Sequence, residues 1–230
     1  MLDISIPPSS CKQADATVTV TAMAFFCPKR KCYVSRETNK RFKGLAKHLR
    51  MTYFHDFEPP PGLGKRVGPK GYRAGTSLDR AVGALVSRGS LEGIPKWAQK
   101  LAHKVVLRLR IAGISKMKSQ VVVHDSASNF ATAVDVCGVD LRTKKYVLVE
   151  IKYSSHRSTL VKGAYAVPGR NRTHMIRCGL PNTMKHQHEI QARATAKLFC
   201  SCFKVPRNRV DVRVLVVPFS GPVLEYPVDL

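Results

Sequence analysis

Val134-Asp135-Val136-Cys137-Gly138-Val139-Asp140-Leu141-Arg142-Thr143-Lys144-Lys145-Tyr146-Val147-Leu148-Val149-Glu150-Ile151-Lys152 is the stretch on which the reading of this chain turns. Two apolar, β-branched runs, Ala131 to Val139 and Tyr146 to Ile151, flank the polar turn Leu141 to Lys145, which is the pattern of a β-hairpin. A turn centred between Arg142 and Thr143 sets Asp135 directly against Glu150 across the pair. Opposed like charges weaken a sheet, and carboxylates set among valines and an isoleucine are costly to bury unless paired or bound to a cation. Oxygen ligands select a hard divalent ion, so the expected cofactor is Mg²⁺, with Mn²⁺ as a substitute. Lys152 lies two residues beyond Glu150 and projects from the same strand face. An ammonium there can orient or deprotonate a water, or stabilise charge on a transferring phosphate. Asp140 sits closer to the turn and reads as a hairpin-end residue.

On the N-terminal side, Gly75-Thr76-Ser77-Leu78-Asp79 reads as a helix opening, with Thr76 or Ser77 as cap and Leu78, Val82, Leu85 and Val86 as the apolar face. Trp97, Leu101, Val105 and Leu109 recur at every fourth position of a second helix, whose other side carries Lys96, Lys100, Lys104 and Arg108. Val121-Val122-Val123 is a short apolar run. Beyond the hairpin, a helix is expected from about Lys185 to Phe199 and a strand from Val210 to Val217. This order of helices and strands predicts an α/β chain with a central mixed β-sheet flanked by helices.

Residues 1–70 read as a basic N-terminal elaboration ahead of a core over 71–230. Ala16 to Phe26 alternates as a strand would. The basic run from Lys29 to Arg50 carries Phe42, Leu45 and Leu49 at near-helical spacing. A loop rich in proline and glycine, Pro59 to Gly71, closes the segment.

The charge balance narrows the partner. The 230 residues hold 39 Lys+Arg against 15 Asp+Glu, a formal +24, while 44% of residues are hydrophobic. That apolar share suffices for a core and excludes a chain that is mainly disordered. The excess of positive charge calls for a polyanion, and nucleic acid is the partner whose counterion release rewards it. No apolar run is long enough to span a bilayer and none is an obvious lipid anchor, so no membrane partner is expected. Seven cysteines, an odd number, argue against a disulfide framework. With no signal peptide visible, the expected setting is an intracellular, reducing compartment, and Pro28-Lys29-Arg30-Lys31 resembles a nuclear-localisation core. Cys27, Cys32, Cys200 and Cys202 lack the common spacing of a zinc site.

Asp135, the turn, and Glu150-Ile151-Lys152 together resemble the core of the PD-(D/E)XK nuclease superfamily, in which an Asp on one strand precedes an (Asp/Glu)-X-Lys on the next. Val134 stands where the superfamily's name has proline. Gly75-x-x-x-Asp79 is similar to the Gly-x-x-x-Glu helix of the lambda-exonuclease branch, with the shorter Asp in place of Glu. Asn182 and His188-Glu189-Ile190-Gln191 resemble the family's helix after the second strand, where a Gln contacts the site; Gln187 is the rival for that role, and Thr195 stands where recombination nucleases have Tyr. The resemblance covers about residues 70–217.

It implies a restriction-endonuclease-like core and a metal-dependent nuclease, an exonuclease of DNA processing or recombination, with DNA rather than RNA as substrate. It also implies that Asp135, Glu150 and the carbonyl of Ile151 hold one or two Mg²⁺, that Asp79 supplies an outer carboxylate, that Lys152 activates or orients the water, and that Gln191 helps to position it. Arg73, Lys162, Arg170 and Arg172 are the expected phosphate contacts. A homo-oligomeric ring would favour processive action. The alternatives are a structure-selective endonuclease and a basic nucleic-acid-binding or packaging protein that does not cut.

Overall fold

The computed structural model describes residues 24–30, 32–54, 66–69, 71–168 and 179–230. The elements run β1 (Ala24–Cys27), β2 (Cys32–Ser35), β3 (Arg41–Gly44), α1 (Leu45–Thr52), α2 (Tyr72–Ser87), α3 (Lys96–Ile111), β4 (Ile114–Asp125), β5 (Phe130–Asp140), β6 (Tyr146–Arg157), α4 (Ser158–Ala164), α5 (Met184–Phe203), β7 (Val210–Ser220) and β8 (Leu224–Val228). They build an α/β molecule around one mixed eight-stranded sheet, ordered β1-β2-β3-β5-β6-β7-β8, with β4 paired to β5 off that path.

Apolar faces dictate the layers. Leu78, Ala81 and Val82 of α2 and Leu101, Val105 and Leu109 of α3 bury against Val136, Val147, Val149, Ile151, Leu215 and Val217 on one side of the sheet. Leu45 and Leu49 of α1 and Ala192, Ala196 and Phe199 of α5 bury against Val121, Val134, Leu148, Val212 and Val214 on the other. Because side chains alternate along a strand, β6 sends Val147, Val149 and Ile151 to the α2/α3 side and leaves Leu148, Glu150 and Lys152 facing α5.

The hairpin has the register read from sequence: Val136 pairs with Val149, Cys137 with Leu148 and Val139 with Tyr146. Asp140 is its end residue, its carboxylate accepting from the Arg142 and Thr143 backbone N–H groups at 2.8 and 3.2 Å. Pairing between β5 and β6 runs no further than Val136 and Val149, so Asp135 and Glu150, expected to face each other across the pair, are not paired. Past that point β6 continues on β7 alone, in parallel register from Tyr146 to Ser154. A strand has two edges, and β4 takes one edge of β5 along its length, from Phe130 to Asp140. The other edge is therefore shared: β6 holds Val136–Val139, and β3 holds Phe130 and Ala131 in parallel. Asp135 stands in the fork between them.

Several expectations need correction. Phe42 lies on β3 rather than on a helix, while Leu45 and Leu49 do sit on one, α1. The first core helix begins at Tyr72, after Gly71 at φ +85°, so Asp79 falls in its third turn rather than at its start. Ser77 does not cap it; its hydroxyl donates to the Arg73 carbonyl at 2.9 Å. The backbone turn at Gly71 takes the boundary that the hydroxyl residues were expected to set, because only a residue free of Cβ strain adopts that φ readily. The run at Val121 belongs to a twelve-residue strand, β4, and α4 and β8 carried no recognised signal. Most of the strand expected from Ala16 lies outside the described residues, as do Arg170, Arg172 and loop residues 59–65 and 70. The described end of that loop packs on β6: Val67 and Gly68 donate to the Ser155 carbonyl, each at 3.0 Å, and the Tyr153 hydroxyl donates to that of Pro69 at 2.8 Å.

Candidate active site

At the fork, the Ile151 backbone N–H donates to the Asp135 carboxylate at 2.7 Å instead of extending the β5–β6 ladder. In an extended strand the N–H and C=O of one residue point to the same edge, so the Ile151 carbonyl faces the same gap. Glu150 is buried, 6% exposed. Its Oε1 accepts from Lys152 Nζ and from Gln191 Nε2, both at 2.6 Å, while Gln191 Oε1 accepts from Lys152 at 3.0 Å. This closed triangle fixes all three side chains, with Gln191 lowered onto the sheet by the buried Ala192–Thr195–Ala196 face of α5. Gln187, the rival, donates to Asn182 Oδ1 at 2.7 Å and makes no such contact.

Electrostatics ties the remaining acids to the same place. Burial pushes the Asp79 carboxyl up from 3.8 to about 6, with the Lys152 charge lowering it and the Glu150 charge raising it. Asp135 is pushed well above the ordinary range by burial, then by Glu150 and Asp79, against the relief of Lys152 and the Ile151 N–H. Burial alone would lower the Lys152 ammonium, but Glu150 and Asp135 outweigh it and the net direction is up. Lys152 is thus held as a cation at neutral pH, which gives it the work of orienting and neutralising rather than of accepting a proton. The His188 imidazole is held well below its usual range by burial and then by Lys152, so it is neutral beside the ammonium.

The Asp79, Asp135 and Glu150 charges all act on the one ammonium, and the raised values of Asp79 and Asp135 express burial together with the repulsion among these acids. The donor atoms are all oxygen. Among the described residues, no three His, Cys, Asp or Glu side chains converge as a ready-made metal-binding group.

Two neighbours were not anticipated. Gln120 Nε2 donates to Asp135 Oδ1 at 3.4 Å from β4, where Gln120 itself takes φ +53°. Tyr33 of β2 is raised by burial and also feels the Asp135 and Glu150 charges. The polar run from Lys116 to Gln120 hides β4, and nothing local in the sequence places β2 here. Of the expected phosphate contacts, Arg73 is exposed in the first turn of α2, the helix that carries Asp79, and Lys162 is exposed on α4. No family model and no curated protein matches the chain. A solved structure described as "Crystal structure of SSO0001" aligns with 67% of this chain and 65% of its own, at 12% identity and a TM-score of 0.30, a likeness too slight to carry an argument. No described helix is long and apolar enough to cross a membrane.

Proposed function

We propose that this chain is a metal-dependent nuclease with a restriction-endonuclease-like core, hydrolysing DNA phosphodiester bonds and acting as an exonuclease in DNA processing or recombination. The observation that carries the reading is the fork: Asp135 and the Ile151 backbone on one side, Glu150 locked to Lys152 and Gln191 on the other, with the Asp79 carboxyl feeling the Lys152 and Glu150 charges. An all-oxygen donor set with more carboxylates than nearby cations fits a hard divalent cation, Mg²⁺ or Mn²⁺. Asp135, Glu150 and the Ile151 carbonyl would hold it, with Asp79 as an outer carboxylate. When bound, such an ion supplies a water nucleophile at neutral pH and neutralises phosphate charge. Lys152 gives two of its three N–H groups to Glu150 and Gln191 and would turn the third toward the scissile phosphate and its water, with Gln191 fixing its direction. Arg73 and Lys162, with Arg170 and Arg172, would position the phosphate backbone.

The test is digestion of end-labelled linear and closed circular DNA with Mg²⁺ or with EDTA. Mg²⁺-dependent loss of linear DNA alone is the expected result. Cutting of the circle would make the protein an endonuclease. Tight binding without cleavage, in both Mg²⁺ and Mn²⁺, would leave a non-catalytic DNA-binding protein.

Cation binding has a second readout. An acid whose folded pKa lies above its unfolded value contributes stability at low pH, and that contribution is lost as pH rises through the folded value. For Asp79 the loss runs from about 4 through about 6, and Asp135 adds a further loss in the same direction. In EDTA the Tm should therefore fall across this window, less steeply in Asp79→Asn. Mg²⁺ favours the ionised carboxylates and should raise Tm far more at pH 7.5 than at pH 5. An equal shift at both pH values would exclude these acids as the site.

A further inference from the structure

Between the end of α2 and the β1–β2 hairpin runs a groove of about 830 Å³, floored by Met117–Val122 of β4 and by Ala133 of β5. Phe25 and Phe26 stand on its rim, 40% and 48% exposed. Phe26 meets Tyr33 edge-on, with ring centroids 5.3 Å apart, and the Arg36 guanidinium lies 5.6 Å from the centre of the Phe25 ring. Arg36 and Lys118 are the charged residues of the lining, and none of the described lining residues is acidic. Gln120 lines the groove and its side chain also donates to Asp135 at 3.4 Å, so one residue is shared between the groove and the fork.

We propose that this groove holds the single-stranded end of the nucleic acid and delivers it to the fork. The choice of a nucleic-acid occupant rests on the nuclease reading above. The preference for a single strand rests on the groove itself. A duplex presents phosphates outward and keeps its base faces stacked, so it has nothing to offer an apolar floor and exposed rings. An unpaired strand offers both: bases stack on Phe26 and Tyr33 while its phosphates meet Arg36 and Lys118. An apolar peptide would satisfy the floor but not the two cations, Arg36 and Lys118, which meet no acid among the described lining residues. The contact residues lie on β1, β2, the turn after β2 and β4, outside the hairpin that carries Asp135 and Glu150, so strand capture and phosphate chemistry are separable by mutation.

The experiment is fluorescence anisotropy in EDTA, with a labelled oligothymidylate and a blunt duplex of equal length, on wild type, Phe25→Ala/Phe26→Ala and Arg36→Ala. Both phenylalanines are exposed, and circular dichroism checks that the double variant folds. The double variant should weaken single-strand binding by about 10- to 100-fold, with little change for the duplex and an unchanged salt slope, since it removes stacking and no charge. Arg36→Ala should lower the single-strand salt slope by about one phosphate's worth. Single-strand affinity equal to wild type in the double variant would overturn the proposal, as would equal losses on both ligands. A switch of the double variant from dimer to monomer would show instead that the groove seats a second copy. Because these readings are taken without cleavage, failure of the nuclease reading would appear separately, as intact DNA in the Mg²⁺ digestion.

Discussion

Lys152→Ala should lower Mg²⁺-dependent DNA cleavage by about 10²- to 10⁴-fold, the range for removal of a positioned group acting in a proton-transfer or charge-stabilising role. On the proposed reading this loss is one of chemistry rather than of folding or metal affinity. Lys152 Nζ bonds Glu150 and Gln191, and its charge reaches both Asp79 and Asp135. Without it the three acids repel one another with no internal relief, so Mg²⁺ should bind as tightly as in wild type or more tightly. The signature is therefore a lost rate with a retained or enlarged Mg²⁺-induced rise in Tm. Lys152→Arg should not restore the rate, because the planar guanidinium fork cannot occupy the compact position between two acceptors on Glu150 and Gln191. A Lys152→Ala protein that keeps more than a tenth of wild-type cleavage would remove Lys152 from the reaction.

Asp135→Asn should abolish cleavage to a comparable degree while making the metal-free protein more stable. The amide keeps an oxygen for the Ile151 N–H and discards the charge that burial, Glu150 and Asp79 all oppose. In EDTA at pH 8 the variant should melt higher, by about 2–4 °C for each kcal/mol of repulsion relieved in a chain of this size. Its Tm should also lose most of the response to Mg²⁺. Opposite movements of stability and activity are characteristic of a residue retained for function against the interest of the fold. An Asp135→Asn protein that melts lower than wild type in EDTA, or that still cuts, would place Asp135 in a structural role.

The parts of this picture that were legible in the sequence are those encoded locally. Alternating valines and a polar turn fixed the β5–β6 register to the residue, which is how Asp135 and Glu150 came to be set in one place before any fold was known. The fourfold spacing of Trp97, Leu101, Val105 and Leu109 likewise marked α3. What stayed hidden has physical reasons. The divergence of β6 from β5 is decided by β7 and β3, which lie far away in the chain and leave no mark at residues 135–151. β4 escaped recognition because polar Lys116, Lys118 and Gln120 interrupt its apolar pattern, and two of these take positive φ. The start of α2 was misplaced by hydroxyl residues that look like caps, of which Ser77 bonds back into the helix. Gln120 and Tyr33 entered the site through those same unread elements.

The parallel pairing of Lys43 and Gly44 with Phe130 and Ala131 has a consequence for how the protein is made. On the ribosome, β3 emerges long before the strand that receives it. At ordinary translation rates the interval is on the order of ten seconds, during which Phe42, which buries with Ala131, has no β5 to settle on. The nascent hairpin must be shielded by a chaperone or wait unpaired, and chains halted short of Phe130 should aggregate through its open edge. β3 thus waits for the partner on its outer edge until β5 is made, while its other edge can already pair with β2 and, through it, β1.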